Sequence, residues 1–130
     1  MTEEKDEQYW RVKLTPEQYK VLREKETEPA FSGLLWDTKL EGMYRCAGCG
    51  AELFDSSAKY DSGTGWPSFH TSMPESVRFQ EDDSFGMHRT AIVCARCGGH
   101  LGHVFNDGPE DKGGRRFCIN SCVLNLEEKQ

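Results

Sequence analysis

Six cysteines and four histidines hold most of the reactive chemistry open to this chain of 130 residues. Four of the cysteines fall in two C-x-x-C pairs, CAGCG (46–50) and CARCGG (94–99), each followed by glycine. Tetrahedral zinc takes four soft thiolates at about 2.3 Å, and a C-x-x-C turn lets two thiolates share one metal. The glycine behind each pair can take the positive φ that such a turn demands. Cys46, Cys49, Cys94 and Cys97 would therefore make a complete four-thiolate set, leaving no open coordination position, so the expected role of one Zn2+ is structural. The 44 residues between the pairs exceed the spacing of a compact zinc ribbon, so a folded β domain must join the knuckles. An iron site or a redox C-x-x-C are the alternatives. A redox pair normally opens a helix in a βαβ setting, which this sequence lacks.

The other two cysteines stand alone in GGRRFCINSC (113–122). Cys118 is either a buried strand cysteine or a nucleophile. Arg115 and Arg116 precede it closely, and positive charge favours a thiolate. In a strand, Arg116, Cys118 and Asn120 share one face, an unusual set for an apolar core. His100 and His103 lie in GGHLGHVFND among glycines. Metal ligation is one role for them, but four cysteines already fill the site; acid–base work beside the thiol is the other. His70 and His88 are expected on the surface or in strands. In GTGWPSFH, Trp66 and Phe69 flank Pro67 and form either a core contact or an aromatic wall for a small apolar group.

The elements that must position these groups are short. Apolar residues make up only 36 % of the chain and there are 13 glycines, which favours a loop-rich fold needing reinforcement. The length suits one domain. Residues 1–9 are expected to be disordered, with a single domain over 10–126. The acidic ends, TEEKDE and LEEKQ, are expected to be solvated and frayed. Thr15, Pro16 and Gln18 form a capping box with proline at the first helical position, predicting a helix to about Lys25 with Tyr19 and Leu22 on its buried face. From Gly42 onward MYRC, ELF, VRF, AIVC, HVF and RFCIN alternate with turn residues and predict short strands. The net charge of −6 argues against nucleic acid. No stretch has the length of a membrane span, and MTEEKDEQYW lacks a secretory h-region, so a cytoplasmic protein with reduced thiols is expected; a monomer is expected as well.

Taken together, CAGCG, GTGWPSF, CARCGGHLGHVF and RRFCINS, with TEPAFSG and MYRCAGCG earlier, closely resemble the B-type methionine-R-sulfoxide reductase family over roughly residues 10–125. The resemblance implies a mainly β fold of two antiparallel sheets with short N-terminal helices and a four-cysteine zinc site. It implies reduction of the R epimer of methionine sulfoxide in oxidised proteins. By motif match, Cys118 would be the nucleophile and His100 and His103 would line the active site. Asn120 would follow the nucleophile, Trp66 would pack on the substrate methyl, and Arg116 and Asp107 match the arginine and the acidic residue of the pattern. Attack would leave a sulfenic acid on Cys118, re-reduced by thioredoxin, glutaredoxin or a small thiol.

One position departs from that pattern. Many relatives carry a resolving cysteine where this chain has Thr64, in GTGWP. That favours glutaredoxin or a small thiol as reductant and leaves Cys122 as the spare thiol. If 118–122 is extended, its ends lie roughly 13 Å apart, too far for a disulfide; a turn at Asn120–Ser121 would permit one. The alternatives to this reading are a zinc-bound protein-interaction module, which would tolerate Cys118→Ser, and a general thiol oxidoreductase, which would need one C-x-x-C free of metal.

Overall fold

The computed structural model describes residues 7–33, 35–83, 86 and 88–128. Among them are two helices, α1 (Glu7–Lys13) and α2 (Pro16–Leu22), and nine strands: β1 (Gly42–Cys46), β2 (Glu52–Asp55), β3 (Lys59–Tyr60), β4 (Ser68–Phe69), β5 (Val77–Asp82), β6 (Arg89–Cys94), β7 (His100–Phe105), β8 (Arg116–Ile119) and β9 (Leu124–Glu128). They form two antiparallel sheets, one of three strands in the order β2-β1-β9 and one of six in the order β3-β4-β8-β7-β6-β5. The fold is mainly β, with two antiparallel sheets and short N-terminal helices.

The sheets share one core. Tyr44, Leu53 and Phe54 from the smaller sheet meet Phe69, Ile92, Leu101, Phe117 and Ile119 from the larger. Phe54 stacks on Phe69 at 4.3 Å between ring centroids, and Tyr44 meets the same ring edge-on at 5.1 Å. Trp10, Leu14, Tyr19, Val21 and Leu22 bring the helices onto this core. Such packing holds helices too short to persist alone.

The capping box forms: Gln18 N–H donates to Thr15 Oγ1 at 3.1 Å, and Thr15 N–H to Gln18 Oε1 at 3.0 Å. The helix ends at Leu22, before the expected Lys25. Lys25 takes a left-handed φ of 61°, and Glu26 N–H reaches back to Lys20 O at 3.0 Å, which turns the chain away from the helix axis. Of the stretch expected to be disordered, residues 7–9 belong to α1, where Trp10 supplies a buried anchor; residues 1–6 lie outside the described residues. The expected frayed end is also corrected. Leu124–Glu128 pairs along the whole of β1, and Glu127 accepts from Arg45 at 2.9 Å. Residues 129 and 130 lie outside the described residues.

Candidate active site and metal centre

The two C-x-x-C turns are built alike. Gly50 and Gly98 have φ of 80° and 75°, and each donates its N–H to the first cysteine carbonyl of its pair at 2.8 Å. Cys46 ends β1 in the smaller sheet and Cys94 ends β6 in the larger. Their turns face each other, so the four sulfurs lie within 4.8 Å of one another, with Cys46–Cys97 at 3.8 Å and Cys49–Cys94 at 3.6 Å. A tetrahedron with metal–sulfur bonds of about 2.3 Å has edges of about 3.8 Å. The cluster is thus sized to hold a metal ion. Four thiolates this close cannot all stay charged without a cation among them. Trp10 and Leu22 pack over the turns: a Cβ on Gly48 would lie 3.3 Å from the Trp10 ring, and one on Gly99 would lie 2.7 Å from Leu22. Arg23 spans the gap, donating to Cys97 O at 3.2 Å and covering the Trp10 ring at 4.8 Å.

Away from the cluster, the larger sheet carries a cavity of roughly 170 Å³ lined by Thr27, Thr64, Trp66, Arg89, Gly102, His103, Phe105, Arg116, Cys118 and Asn120. The strand register assembles it: Cys118 on β8 sits between Ser68 on β4 and His103 on β7. Arg116, two residues earlier, shares the Cys118 face. Asp107 holds the Arg116 guanidinium through two hydrogen bonds of 2.9 and 3.2 Å, and the group lies 4.4 Å over the Phe105 ring. Burial pushes the Cys118 thiol above its ordinary pKa. The Arg116 charge, then hydrogen bonds from Thr64 and Arg116, pull it back down. Thr64 also joins a chain of hydroxyls, at 2.8 Å to Ser62 Oγ, which in turn lies 2.6 Å from Ser68 Oγ.

The strand breaks after Ile119, and Asn120 is held at both ends of its amide. Its Oδ1 accepts from Glu28 N–H and its Nδ2 donates to Leu101 O, both at 2.9 Å. Glu28 is a second junction. Its carbonyl accepts the Trp66 indole N–H at 2.9 Å, and its carboxylate accepts Cys122 N–H at 3.0 Å. The loop at Glu28 therefore fixes the tryptophan wall, the asparagine and the turn after the nucleophile together.

Among the predicted site residues, Cys118, His103, Arg116, Asn120 and Trp66 line this one cavity. Phe69 does not: its side chain is fully buried in the inter-sheet core, stacked on Phe54. The two-residue strand β4 turns it inward, which the loop reading of GTGWPSF could not register. His100 is buried beside the cavity wall, edge-on to His103 at 5.2 Å. Neither of its ring nitrogens has a hydrogen-bond partner among the described residues. Burial, then the neighbouring His103, lowers its pKa to about 4, so it is neutral near pH 7. His103 Nε2 lies 2.7 Å from Asp82 Oδ2. Burial lowers the His103 pKa, and the hydrogen bond to Asp82 opposes that fall. His70 is half-buried, and His88 is exposed and paired with Asp83 at 2.6 Å.

Cys122 lies in a 3₁₀ turn, Ser121–Val123, so residues 118–122 are not a continuous strand. The turn does not bring the thiols into one site. Cys118 faces the cavity above, while Cys122 lines a separate cleft with Glu28, Leu124 and Leu126. Burial, then the Glu28 carboxylate, pushes the Cys122 thiol far up. Sequence reasoning missed Asp82, Arg89 and Thr27. Asp82 sits in the acidic run QEDD with nothing to mark it out. Glu28 lies in TEPAFSG, which carried part of the resemblance but gave it no role.

A family model described as the SelR domain matches residues 14–128. The peptide methionine sulfoxide reductase MsrB of Methanosarcina barkeri is 54 % identical over 128 residues, covering 98 % of this chain and 89 % of that protein. The protein of the same name from Thiobacillus denitrificans is also 54 % identical over 128 residues, covering 98 % and 96 %. That from Leptospira interrogans is 52 % identical over 126 residues, covering 96 % and 95 %. Among solved structures, the crystal structure of the Mis18 "Yippee-like" domain superposes with a TM-score of 0.53 at 19 % identity, over 69 % of this chain and 98 % of that one. At that identity the likeness speaks for the fold alone. The full-length matches make the chain an oxidoreductase. It belongs to the methionine-R-sulfoxide reductase B family.

Proposed function

We propose that this chain reduces the R epimer of methionine sulfoxide in oxidised proteins, with Cys118 as nucleophile. The observation that supports this best is the gathering of Cys118, His103, Arg116, Asn120 and Trp66 around one small cavity. A sulfoxide sulfur is a poor electrophile until its oxygen is protonated. At rest burial favours the Cys118 thiol and the neutral His103 ring; passing the thiol proton to His103, with Arg116 holding the thiolate, gives the reactive pair of thiolate and imidazolium. The thiolate attacks the substrate sulfur while His103 gives its proton to the oxygen. The sulfur–oxygen bond of the substrate breaks, the oxygen and that proton end on Cys118 as a sulfenic acid, and methionine leaves. The substrate sulfur gains two electrons, the cysteine sulfur loses two, and the imidazole is left neutral.

Two molecules of an external thiol then reduce the sulfenic acid, giving a disulfide, water and the Cys118 thiol, whose proton can recharge His103. Thr64 supplies no sulfur for this step. Cys122, in its separate cleft and with its thiol pushed up, is a poor resolving group. Glutaredoxin or a small thiol therefore suits the chain better than thioredoxin. Trp66 offers a flat apolar face to the S-methyl, opposite the polar groups of β7 and β8. Exchanging methyl and oxygen would set the oxygen against the indole, so such a pocket selects one hand. His100, neutral and buried, packs against the His103 ring and supports it.

Cys46, Cys49, Cys94 and Cys97 would hold one zinc ion. With four thiolates it supplies a clip between the sheets and no site for substrate. The reading includes a single domain over 10–126 working as a cytoplasmic monomer. Among the described residues, no helix is long and apolar enough to cross a membrane.

The test is stereospecific turnover. Separated R- and S-sulfoxide peptides are given to the metal-loaded protein with dithiothreitol, beside Cys118→Ser. The expected result is turnover of the R peptide alone, abolished by the substitution, with mass mapping of a single turnover finding sulfenic acid or a mixed disulfide at Cys118. Turnover surviving in Cys118→Ser sinks the proposal.

A further inference from the structure

Asp82 ends β5 and points its carboxylate at the site from the edge of the larger sheet. Its Oδ2 lies 2.7 Å from His103 Nε2 and 3.7 Å from the Arg89 guanidinium. The side chains are 21 % exposed for Asp82 and 7 % for His103, so the pair is largely withdrawn from water. An ionised carboxylate can only accept a hydrogen bond, so the proton between them belongs to Nε2. That leaves Nδ1 as the nitrogen to meet a ligand in the cavity that His103 lines. A neutral ring in this tautomer has only a lone pair at Nδ1 and cannot donate. It becomes a donor as imidazolium, the form that a close, partly buried anion stabilises.

We propose that Asp82 is the positioning residue that makes His103 a proton donor. It orients the ring, keeps one proton on Nε2, and favours the second proton on Nδ1, the one delivered to the sulfoxide oxygen. The inference rests on His103 being the acid, as set out above. Among the described residues, the charged and titratable groups around the ring are Asp82 on β5, Arg89 on β6, His100 on β7 itself, and Arg116 and Cys118 on β8. Burial, the largest effect, and Arg89 oppose the imidazolium; Asp82 counters them in part, and the ring stays below its ordinary pKa. Removing its charge should leave a neutral ring facing the substrate.

Two measurements decide this. In the first, the protein labelled with ¹⁵N in its histidines is followed by NMR across pH. Wild type should show His103 protonated on Nε2 at neutral pH, with Nδ1 titrating. A ring carrying its neutral-state proton on Nδ1, with Nε2 bare, overturns the proposal without any variant. In the second, the pH dependence of R-sulfoxide peptide reduction with dithiothreitol is compared for wild type, Asp82→Asn, Asp82→Ala and Asp82→Glu. The donor must be protonated, so activity falls as pH rises through its pKa. Asp82→Asn should move that alkaline limb to lower pH and cut kcat by at least on the order of ten- to a hundredfold, the loss seen when a metal-bound imidazole loses its carboxylate partner. Asp82→Ala should also lose the tautomer preference, and Asp82→Glu should restore part of the rate. An alkaline limb and a His103 spectrum unchanged in Asp82→Ala overturn the proposal. If wild type reduces neither epimer, the functional reading falls, and the NMR result still decides whether Asp82 sets the ring.

Discussion

Gly102 tests how closely the two strands that carry the chemistry must approach. It lies on β7 opposite Ile119 and lines the cavity beside Cys118. A Cβ added there would sit 2.0 Å from the Cys118 carbonyl oxygen and 3.0 Å from both Cys118 C and Ile119 Cα. These are backbone atoms of a paired strand, so no side chain can swing aside. Relieving the clash means moving β8 off β7 by about 1 Å, out of good hydrogen-bond range. Overpacking of this kind costs about 1–3 kcal/mol, and a weakened ladder bond about 1 kcal/mol more, so Gly102→Ala should lose about 2–4 kcal/mol. The same 1 Å shift displaces Cys118 from His103, which should cost on the order of a hundredfold in turnover. Urea denaturation at constant m-value gives the first quantity, and R-sulfoxide peptide reduction gives the second. A variant within about 0.5 kcal/mol of wild type with turnover within about twofold would show that the strands are not held this tightly, and the reasoning about the site's rigidity would fail with it.

Two further outcomes concern the metal centre and the Thr64 hydroxyl. Stripping the metal with a strong chelator should lower the melting temperature by many degrees and free four thiols per chain to react with a thiol reagent, because the ligands span both sheets; elemental analysis of untreated protein should give one zinc per chain. Thr64→Val removes a hydroxyl that helps hold the Cys118 thiol down against burial. The thiol pKa should therefore rise, the thiolate fraction at neutral pH should fall, and the rate–pH curve for alkylation of Cys118 by iodoacetamide should move to higher pH; an unchanged curve would remove Thr64 from the account.

The parts of this protein governed by local rules were legible from residues alone. The Thr15–Gln18 box, the two glycine-backed C-x-x-C turns and the β-rich segments with branched and aromatic residues all declare themselves within a few positions. Features that depend on a distant partner did not. LNLEE carries only two apolar residues among acids, and it becomes a strand because β1 offers a full edge and Arg45 a counter-charge. EQYWRVK is too short to be helical by propensity, and Trp10 is held by a core assembled from residues far along the chain. Phe69 and Trp66 look alike as loop aromatics, and a two-residue strand sends one inward and leaves the other at the cavity. Asp82 is one acid of several until β5 pairs with β6 and sets it against His103. Cys118, by contrast, was singled out by its own neighbours.

The carboxylate that faces His103 hangs from an outermost strand. Among the described residues β5 pairs with β6 on one side only, and most of its side chains are exposed. Outermost strands open and close more readily than the sheet interior. Each opening would carry Asp82 off and leave a ring that donates poorly, while the central strands holding the thiol stay in place. Warming should then slow the protein well before it melts, and cooling should restore it without any refolding.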